Sequence, residues 1–196
     1  MFNIEKLDMR VKYTREWTFE ALAKLMEIKS FKDIKISEII NKAGISRATF
    51  YRNFSTKEDV IKRKVETLFA SFYNDMLSYY VVNELSDEQY LIASFFKKID
   101  EEEKIIDTVI NSNLEYLMIE GINDIINHYR VHFYALVKTN KKTEEYIVDI
   151  VASSAWTLLS RWHKSGKNES ASDLVKIYLS AFRSVYIALF QDRSML

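Results

Sequence analysis

The segment SRATFYRNF combines two arginines with two phenylalanines in one short helix. On a wheel of about 100° per residue, Phe50 and Phe54 lie together, and Arg47, Ala48, Thr49 and Arg52 fan across the rest of the helix surface. A guanidinium can hydrogen-bond both acceptors of a guanine edge, which makes arginine the side chain best suited to that base. The pattern therefore favours a helix with an apolar inner face and an outer face that contacts the bases of nucleic acid.

Neighbouring residues add groups that suit a base edge or a phosphate. Ala48 is small enough to let the helix backbone approach, and its methyl could touch thymine. Thr49, Tyr51 and Lys57 are better placed for phosphate oxygens, which fix position and supply most of the salt-dependent affinity. The amides of Thr56 and Lys57 begin a long helix and form a further candidate anion site. The candidate DNA contacts are Lys35, Ser46, Arg47, Ala48, Thr49, Tyr51, Arg52 and Lys57.

This short helix needs support from its neighbours, because helices below ~12 residues are marginal in water. A second short helix is predicted over residues 36–43, and Gly44 can adopt the left-handed conformation that ends it. Ser46 then has the position of an N-cap. Two short helices joined by a tight glycine turn form a helix-turn-helix unit.

The whole chain is predicted to be all-α, with about nine helices, because apolar residues recur at spacings of three and four and there is no proline. The first helix covers residues 9–29, with an apolar stripe of Trp17, Ala21, Leu25 and Ile28. A long helix to about residue 80 has the apolar stripe Ile61, Val65, Leu68, Phe72 and Met76.

Capping-box spacing predicts where two later helices begin. Ser55 with Glu58 would open the long helix, and Ser112 with Glu115 would open the seventh. Gly121, inside that seventh helix, could mark a close crossing, a bend or room for a ligand.

Composition and charge divide the chain into two parts. Residues 1–65 hold 15 Lys/Arg against 9 Asp/Glu, and the remainder holds 13 against 19. We expect a three-helix DNA-binding domain in residues 1–55 and a larger helical domain in residues 56–196. The chain has no cysteine and no run of about eighteen apolar residues, so we expect a cytoplasmic protein without a membrane partner.

The segment ISEIINKAGISRATFYRNFSTKEDVI resembles the DNA-binding signature of the tetracycline-repressor (TetR) family of bacterial transcriptional regulators. The resemblance covers about residues 13–68. It implies that residues 47–52 read the bases of double-stranded operator DNA and that Tyr51 and Lys57 hold backbone phosphate. The sequence departs from the family at Lys35, where Thr or Ser is common, and at Ile40, where a small residue is usual.

The last two predicted helices, residues 143–164 and 171–191, look like the closing helix pair in one branch of this family. That resemblance implies a homodimer with a four-helix bundle at its interface, which would present two half-sites to DNA. Alternatively, the same apolar stripes complete the core of the monomer. The predicted interface residues are Val151, Ser154, Leu158, Tyr178, Phe182, Val185 and Leu189.

The middle helices are rich in large aromatic residues, most of which belong in a core. The family resemblance implies that some of them line a cavity for a small organic effector. The candidates are Phe69, Phe72, Tyr73, Phe95, Tyr116, Tyr129, Phe133 and Trp156.

Other classes of function have less support in the sequence. There is no glycine-rich phosphate loop, nucleophile elbow or paired-carboxylate motif, so we expect no catalytic site. His128 and His132 have i, i+4 spacing but lack a nearby third ligand, so we expect no metal or other cofactor. The rival hypothesis is a TetR-like coactivator that binds another regulator, and the intact basic face around Arg47 argues against it.

Overall fold

The computed structural model describes residues 9–82, 88–128 and 141–190, and the described part of the chain contains nine α-helices and no strand. In chain order the helices are α1 (Met9–Met26), α2 (Ile36–Ala43), α3 (Arg47–Asn53), α4 (Lys57–Val82), α5 (Glu88–Glu101), α6 (Glu103–Ser112), α7 (Tyr116–His128), α8 (Lys141–Lys164) and α9 (Ala171–Phe190). A single 3-10 turn, Phe31–Asp33, links α1 to α2. The all-α prediction is confirmed. We call residues 9–54 the head and residues 57–190 the body.

The turn between α2 and α3 has the geometry that the glycine predicted. Gly44 adopts φ 66° and ψ 29°, and the amide of Ile45 donates to the carbonyl of Ile40 at 3.2 Å. A Cβ on Gly44 would meet no atom within 4 Å, so the backbone conformation alone requires glycine. The predicted bounds of α2 and α3 are confirmed.

The packing of α1 confirms only half of the predicted stripe: Ala21 is 4% exposed and Leu25 packs against the core, but the other two members are exposed. Trp17 and Ile28 are 58% and 76% exposed, while Thr18, Phe19 and Leu22 are buried. Thr18 tolerates burial because its hydroxyl donates to the carbonyl of Thr14. The helix is therefore rotated so that a neighbouring stripe faces the core.

The long helix α4 has the predicted apolar stripe, but it begins differently. Ile61, Val65, Leu68, Phe72 and Met76 are all at most 4% exposed, which confirms the stripe. The predicted Ser55–Glu58 capping box is wrong, because the hydroxyl of Thr56 accepts from the amide of Asp59 and the Asp59 carboxylate accepts from the amide of Thr56. The capping pair lies one residue later in the sequence.

The start of α7 also differs from its prediction. Ser112 ends α6, where its hydroxyl donates to the carbonyl of Val109, and the left-handed Asn113 (φ 58°) turns the chain. Within α7, a Cβ on Gly121 would lie 2.2 Å from two ring carbons of Phe69. Of the three interpretations of Gly121, the structure supports a close crossing of α7 and α4.

The head and the body share one hydrophobic core. Its buried members run continuously from Phe19 and Phe50 in the head, through α4, to Trp156 and Tyr178 in the body. Helix α6 packs against α1, α4 and the 3-10 turn, so the body contacts the head at several points. Within the described residues, every helix is too short or too polar to cross a lipid bilayer.

Candidate nucleic-acid interface and interior cavity

The outer face of α3 presents polar and small side chains over a fully buried inner face. Phe50 and Phe54 are 0% and 3% exposed, and their ring centroids are 5.3 Å apart. The exposed residues of the helix are Arg47, Ala48, Tyr51 and Arg52. This arrangement holds a two-turn helix in place through its phenylalanines and leaves its other side open to a partner.

A stack of side chains orients Arg47. The Tyr51 ring meets the buried Phe50 ring edge-on at 5.4 Å, and the Arg47 guanidinium carbon lies 5.6 Å from the Tyr51 ring centroid. Cation–π contact of this kind favours one direction of the guanidinium without using its N–H donors. Among the described residues, Arg47 and Arg52 form no ion pair and no hydrogen bond through their guanidiniums, so their donors are available to acceptors outside the protein.

The hydroxyl groups of Ser46 and Thr49 lie at the N-terminus of α3. The Ser46 oxygen accepts from the Thr49 amide at 3.0 Å, and the two hydroxyl oxygens are 2.8 Å apart. Ser46 is therefore the N-cap that the sequence predicted. Thr49 is half-buried, and its carbonyl accepts from the Asn53 side chain.

Lys35 is exposed at the start of α2 and is positioned through its backbone. Its amide donates to the Glu38 carboxylate at 2.9 Å, and Glu38 also accepts from the Lys29 ammonium. The Lys29 hydrogen bond, assisted by the Lys35 amide, lowers the pKa of Glu38 below its usual value. A charged Glu38 caps the positive end of α2 and leaves the Lys35 ammonium at the surface.

The ammonium of Lys57, predicted to hold a phosphate, forms its hydrogen bonds within the protein. It donates to the carbonyl oxygens of Phe31, Lys32 and Ile34 at 2.7, 3.0 and 3.0 Å. Of the two amides in the neighbouring candidate anion site, that of Thr56 already donates to the Asp59 carboxylate at 3.2 Å.

The body contains an apolar cavity of about 100 Å³. Its lining residues come from α4, α5, α7, α8 and α9, and they are Phe72, Met76, Ile92, Phe95, Phe96, Ile122, Ile125, Ile126, Val151, Ala155 and Tyr178. Of the predicted effector residues, Phe72 and Phe95 lie in this wall. The other lining residues are mostly aliphatic, and the sequence signal that could have found them is the apolar stripe of α7.

The other predicted effector residues within the described part of the chain lie outside this wall. Phe69 packs against Gly121, and Trp156 is a buried core residue. Tyr116 is 51% exposed, and the Tyr73 ring meets the His128 ring at 4.9 Å. Tyr129, Phe133 and His132 lie outside the described residues.

Two predicted interface residues, Val151 and Tyr178, also line the cavity. The Tyr178 hydroxyl donates to the Val151 carbonyl at 2.9 Å, and burial raises the pKa of Tyr178 to about 12. Ser154 and Leu158 are half-buried on the same helix as Val151. The side chains of Phe182, Val185 and Leu189 lie outside the described residues.

Taken together, these features define a helix-turn-helix protein with an all-α body around an apolar cavity. Residues 19–63 match the family model described as bacterial regulatory proteins, tetR family. The segment that holds α1 to α3 and the start of α4 therefore matches the DNA-binding region of this family, as the motif around α2 and α3 indicated.

Sequence relatives match this chain only over part of their own length. A region of 78 residues is 32% identical to the exodeoxyribonuclease 7 large subunit of Thermoanaerobacter sp. (strain X514) and covers 34% of this chain and 20% of that protein. A region of 67 residues is 33% identical to the HTH-type dhaKLM operon transcriptional activator DhaS of Lactococcus lactis. It covers 34% of this chain and 36% of that protein. The matches therefore span about a third or less of either relative.

Solved structures share the fold over most of the chain. Lin0861 from Listeria innocua superposes with a TM-score of 0.75 at 18% identity, covering 91% of this chain and 94% of that one. FadR from Thermus thermophilus, a TetR-family repressor solved with lauroyl-CoA, superposes with a TM-score of 0.56 at 18% identity. The superposition covers 85% of this chain and 91% of that one. At these identities the likeness extends to the fold alone.

Proposed function

We propose that this protein is a homodimeric transcriptional regulator that binds double-stranded operator DNA by placing α3 in the major groove. The observation that carries the proposal is the outer face of α3, where two unpaired guanidiniums stand above a fully buried phenylalanine pair. Arg47 and Arg52 would read guanine edges, and Ala48 would allow close approach of the helix. Lys35, Ser46, Thr49 and Tyr51 would contact the sugar-phosphate backbone.

Selection of bound fragments from random duplexes tests this proposal. We expect a two-fold symmetric sequence with half-sites about one helical turn (~34 Å) or a multiple apart. Replacing Arg47 by alanine should then relax discrimination at one base pair of each half-site by ~1–3 kcal/mol. Arg161→Ala is the matched control, because Arg161 is an exposed arginine of the body. Recovery of random fragments, or equal effects of the two substitutions, would contradict the proposed recognition.

Exposed apolar residues on α8 and α9 support the homodimer. Tyr146 and Ile150 on α8 are 59% and 61% exposed, and Ile177 on α9 is 49% exposed. The bond between Tyr178 and the Val151 carbonyl brings these parts of the two helices together. A second copy of the chain would cover this surface, as two-fold operator recognition requires.

The dimer is tested by measuring molar mass in solution. Ile150→Glu would place a charge in the proposed interface, and we expect it to yield monomers that bind DNA weakly. Ile28→Glu is the control, because Ile28 is an isoleucine of the head that is even more exposed, at 76%. If both variants keep the mass of the wild type, the interface lies elsewhere.

The cavity in the body supports a small apolar effector. Its volume of about 100 Å³ is below the ~150 Å³ of an apolar cavity that admits benzene. A larger ligand must therefore push the surrounding helices apart. FadR of Thermus thermophilus, which shares the fold, was solved with lauroyl-CoA, so we propose an effector with an alkyl or acyl chain.

Helix α4 would transmit this displacement to the head. Phe72 and Met76 of α4 lie in the cavity wall, while Val60 and Ile61 of the same helix belong to the core shared with the head. A ligand that shifts α4 changes the position of α3 and hence its fit to DNA. A coupling free energy of ~1–3 kcal/mol between ligand and operator binding is usual for allosteric proteins. The ligand lowers operator affinity by the same factor by which the operator lowers ligand affinity.

A matched pair of neighbouring substitutions tests the effector site. Met76→Trp would fill the cavity, whereas Leu77→Trp would add the same side chain at a 41% exposed position. We expect acyl and alkyl compounds to raise the melting temperature of the wild type and of Leu77→Trp, but not of Met76→Trp, and to lower operator affinity. Compounds that bind tightly without changing operator affinity would refute the coupling.

The direction of regulation has two candidates. We propose repression, in which α3 occupies the operator until the effector binds. Activation is the second candidate, because about a third of the chain matches DhaS, whose name describes a transcriptional activator. Transcription from a template carrying the selected operator, with and without protein, separates the two; a protein that binds no duplex but captures another regulator would instead support the coactivator hypothesis.

A further inference from the structure

Lys57 makes three hydrogen bonds within the protein, and together they hold the start of α4 to the 3-10 turn. Its ammonium donates to the carbonyls of Phe31, Lys32 and Ile34 at 2.7–3.0 Å and lies 4.6 Å from the Phe31 ring centroid. An ammonium has three donors, so all of them are used. The positive charge also lies where the carbonyl groups of the turn point, which is a favourable place for a cation.

Asp59 completes this arrangement from the other side of the helix start. Its carboxylate accepts from the amides of Ser55 and Thr56 at 2.7 and 3.2 Å. A phosphate group at this helix start would meet amides that are already hydrogen-bonded and a carboxylate that repels it. The Asp59 carboxylate therefore stands at the start of α4, where an anion binds at other helix N-termini.

The position of the turn gives these hydrogen bonds a consequence for α2 and α3. Ile34 directly precedes Lys35, the residue at which α2 is capped, and α2 leads through Gly44 into α3. The turn also contacts α6 of the body. We infer that Lys57 is a positioning residue that fixes the helix-turn-helix unit against α4, and that it does not neutralise a DNA phosphate.

This inference rests on the proposed DNA binding, and the dependence of affinity on salt separates the two roles of Lys57. A lysine that neutralises one phosphate contributes about 0.9 to the slope of log affinity against log salt. A positioning lysine contributes nothing to that slope. Its loss instead misplaces α3, which lowers affinity for the operator more than affinity for random duplex.

The experiment compares Lys57→Met, Lys57→Arg and Lys35→Met with the wild type on operator and random duplexes of equal length, over a series of salt concentrations. We expect Lys57→Met to keep the wild-type slope and to lose at least ~10-fold in operator affinity, the scale of one charge-assisted hydrogen bond. Lys57→Arg should behave in the same way, because a planar fork cannot direct three donors at three convergent carbonyls. Lys35→Met should lower the slope by about 0.9 and weaken both duplexes alike.

Three outcomes would overturn the inference. A slope lower by about 0.9 in Lys57→Met, with Lys57→Arg restoring it, would make Lys57 a phosphate contact. A lower melting temperature with unchanged slope and unchanged operator-to-random ratio would make it a merely structural residue. Amide hydrogen exchange without DNA provides the third readout, and we expect faster exchange at Ile34–Glu38 in Lys57→Met. Unchanged exchange would show that Lys57 does not hold the turn against α4. If the wild type binds no duplex, the proposed function fails, while the exchange result still decides whether Lys57 holds the turn.

Discussion

The head and the body both depend on buried phenylalanines, but they use them differently. In the head, Phe50 and Phe54 are 0% and 3% exposed, and the functional groups stand on the opposite side of α3. In the body, Phe72 and Phe95 contact each other at 5.4 Å and leave an apolar cavity beside them. In the head the phenylalanines are buried and the exposed surface faces the proposed partner, whereas in the body they border a cavity that can receive a ligand.

This difference explains how one core can serve two kinds of partner. Recognition of DNA requires a rigid helix whose side chains keep their directions, and complete packing provides it. Binding of an apolar ligand requires space that water does not fill, which incomplete packing provides. Helix α4 of the body also contributes residues to the core shared with the head, so a change of volume around the cavity has a direct route to the head.

The largest expected difference between the two regions is in the cost of losing a phenylalanine. Phe50→Ala should lower the free energy of unfolding by ~3–5 kcal/mol, because the packed head cannot close the gap. Phe95→Ala should cost less, because Phe95 is half-buried and already borders the cavity. Urea denaturation monitored by circular dichroism measures both. Equal losses would mean that the head is no more completely packed than the body.

The pH dependence of stability tests whether the cavity is dry. Burial raises the pKa of Tyr178 to about 12 from the ordinary value of 10.0. The neutral phenol thus stabilises the fold fully below pH 10, and up to ~3 kcal/mol of that stabilisation is lost as the pH rises through the folded-state value. The free energy of unfolding should therefore fall more steeply from pH 10 to about 12 in the wild type than in Tyr178→Phe. Parallel curves would indicate a hydrated cavity.

Gly121→Ala tests the close crossing of α7 and α4. The added Cβ would lie 2.2 Å from the Phe69 ring, so we expect a loss of ~1–3 kcal/mol despite the better helix propensity of alanine. Phe69→Leu should recover part of that loss in the double variant, which a double-mutant cycle by urea denaturation measures. A neutral or stabilising Gly121→Ala would show that the two helices do not approach this closely.

The smallest expected effect concerns the N-cap of α3. Ser46→Ala should destabilise the protein by ~1 kcal/mol, because the Thr49 amide loses its acceptor. Ser55→Ala is the matched control and should change stability by less than ~0.5 kcal/mol, because the Thr56 hydroxyl caps α4 instead. Melting temperatures of the two variants provide the comparison. A larger effect for Ser55 would restore the capping box predicted from the sequence.

Several features of the head followed from local sequence, while comparable features of the body did not. Gly44 and Ser46 fixed the turn and the start of α3, because a left-handed residue and a cap act on the backbone beside them. The local sequence could not decide whether Ser55 or Thr56 caps α4, because each has an acidic residue three positions later. The tertiary contact of Lys57 with the 3-10 turn favours Thr56 as the cap.

What the sequence alone determined is the helical class, the bounds of α2 and α3, the buried stripe of α4 and the two-sided character of α3. These properties depend on periodicity and on groups within a few residues of one another. Only the tertiary structure decided which side of α1 is buried, where Lys57 directs its ammonium and which residues enclose the cavity. Each of these depends on the rotation and distance of helices far apart in the chain, and packing of the shared core sets both.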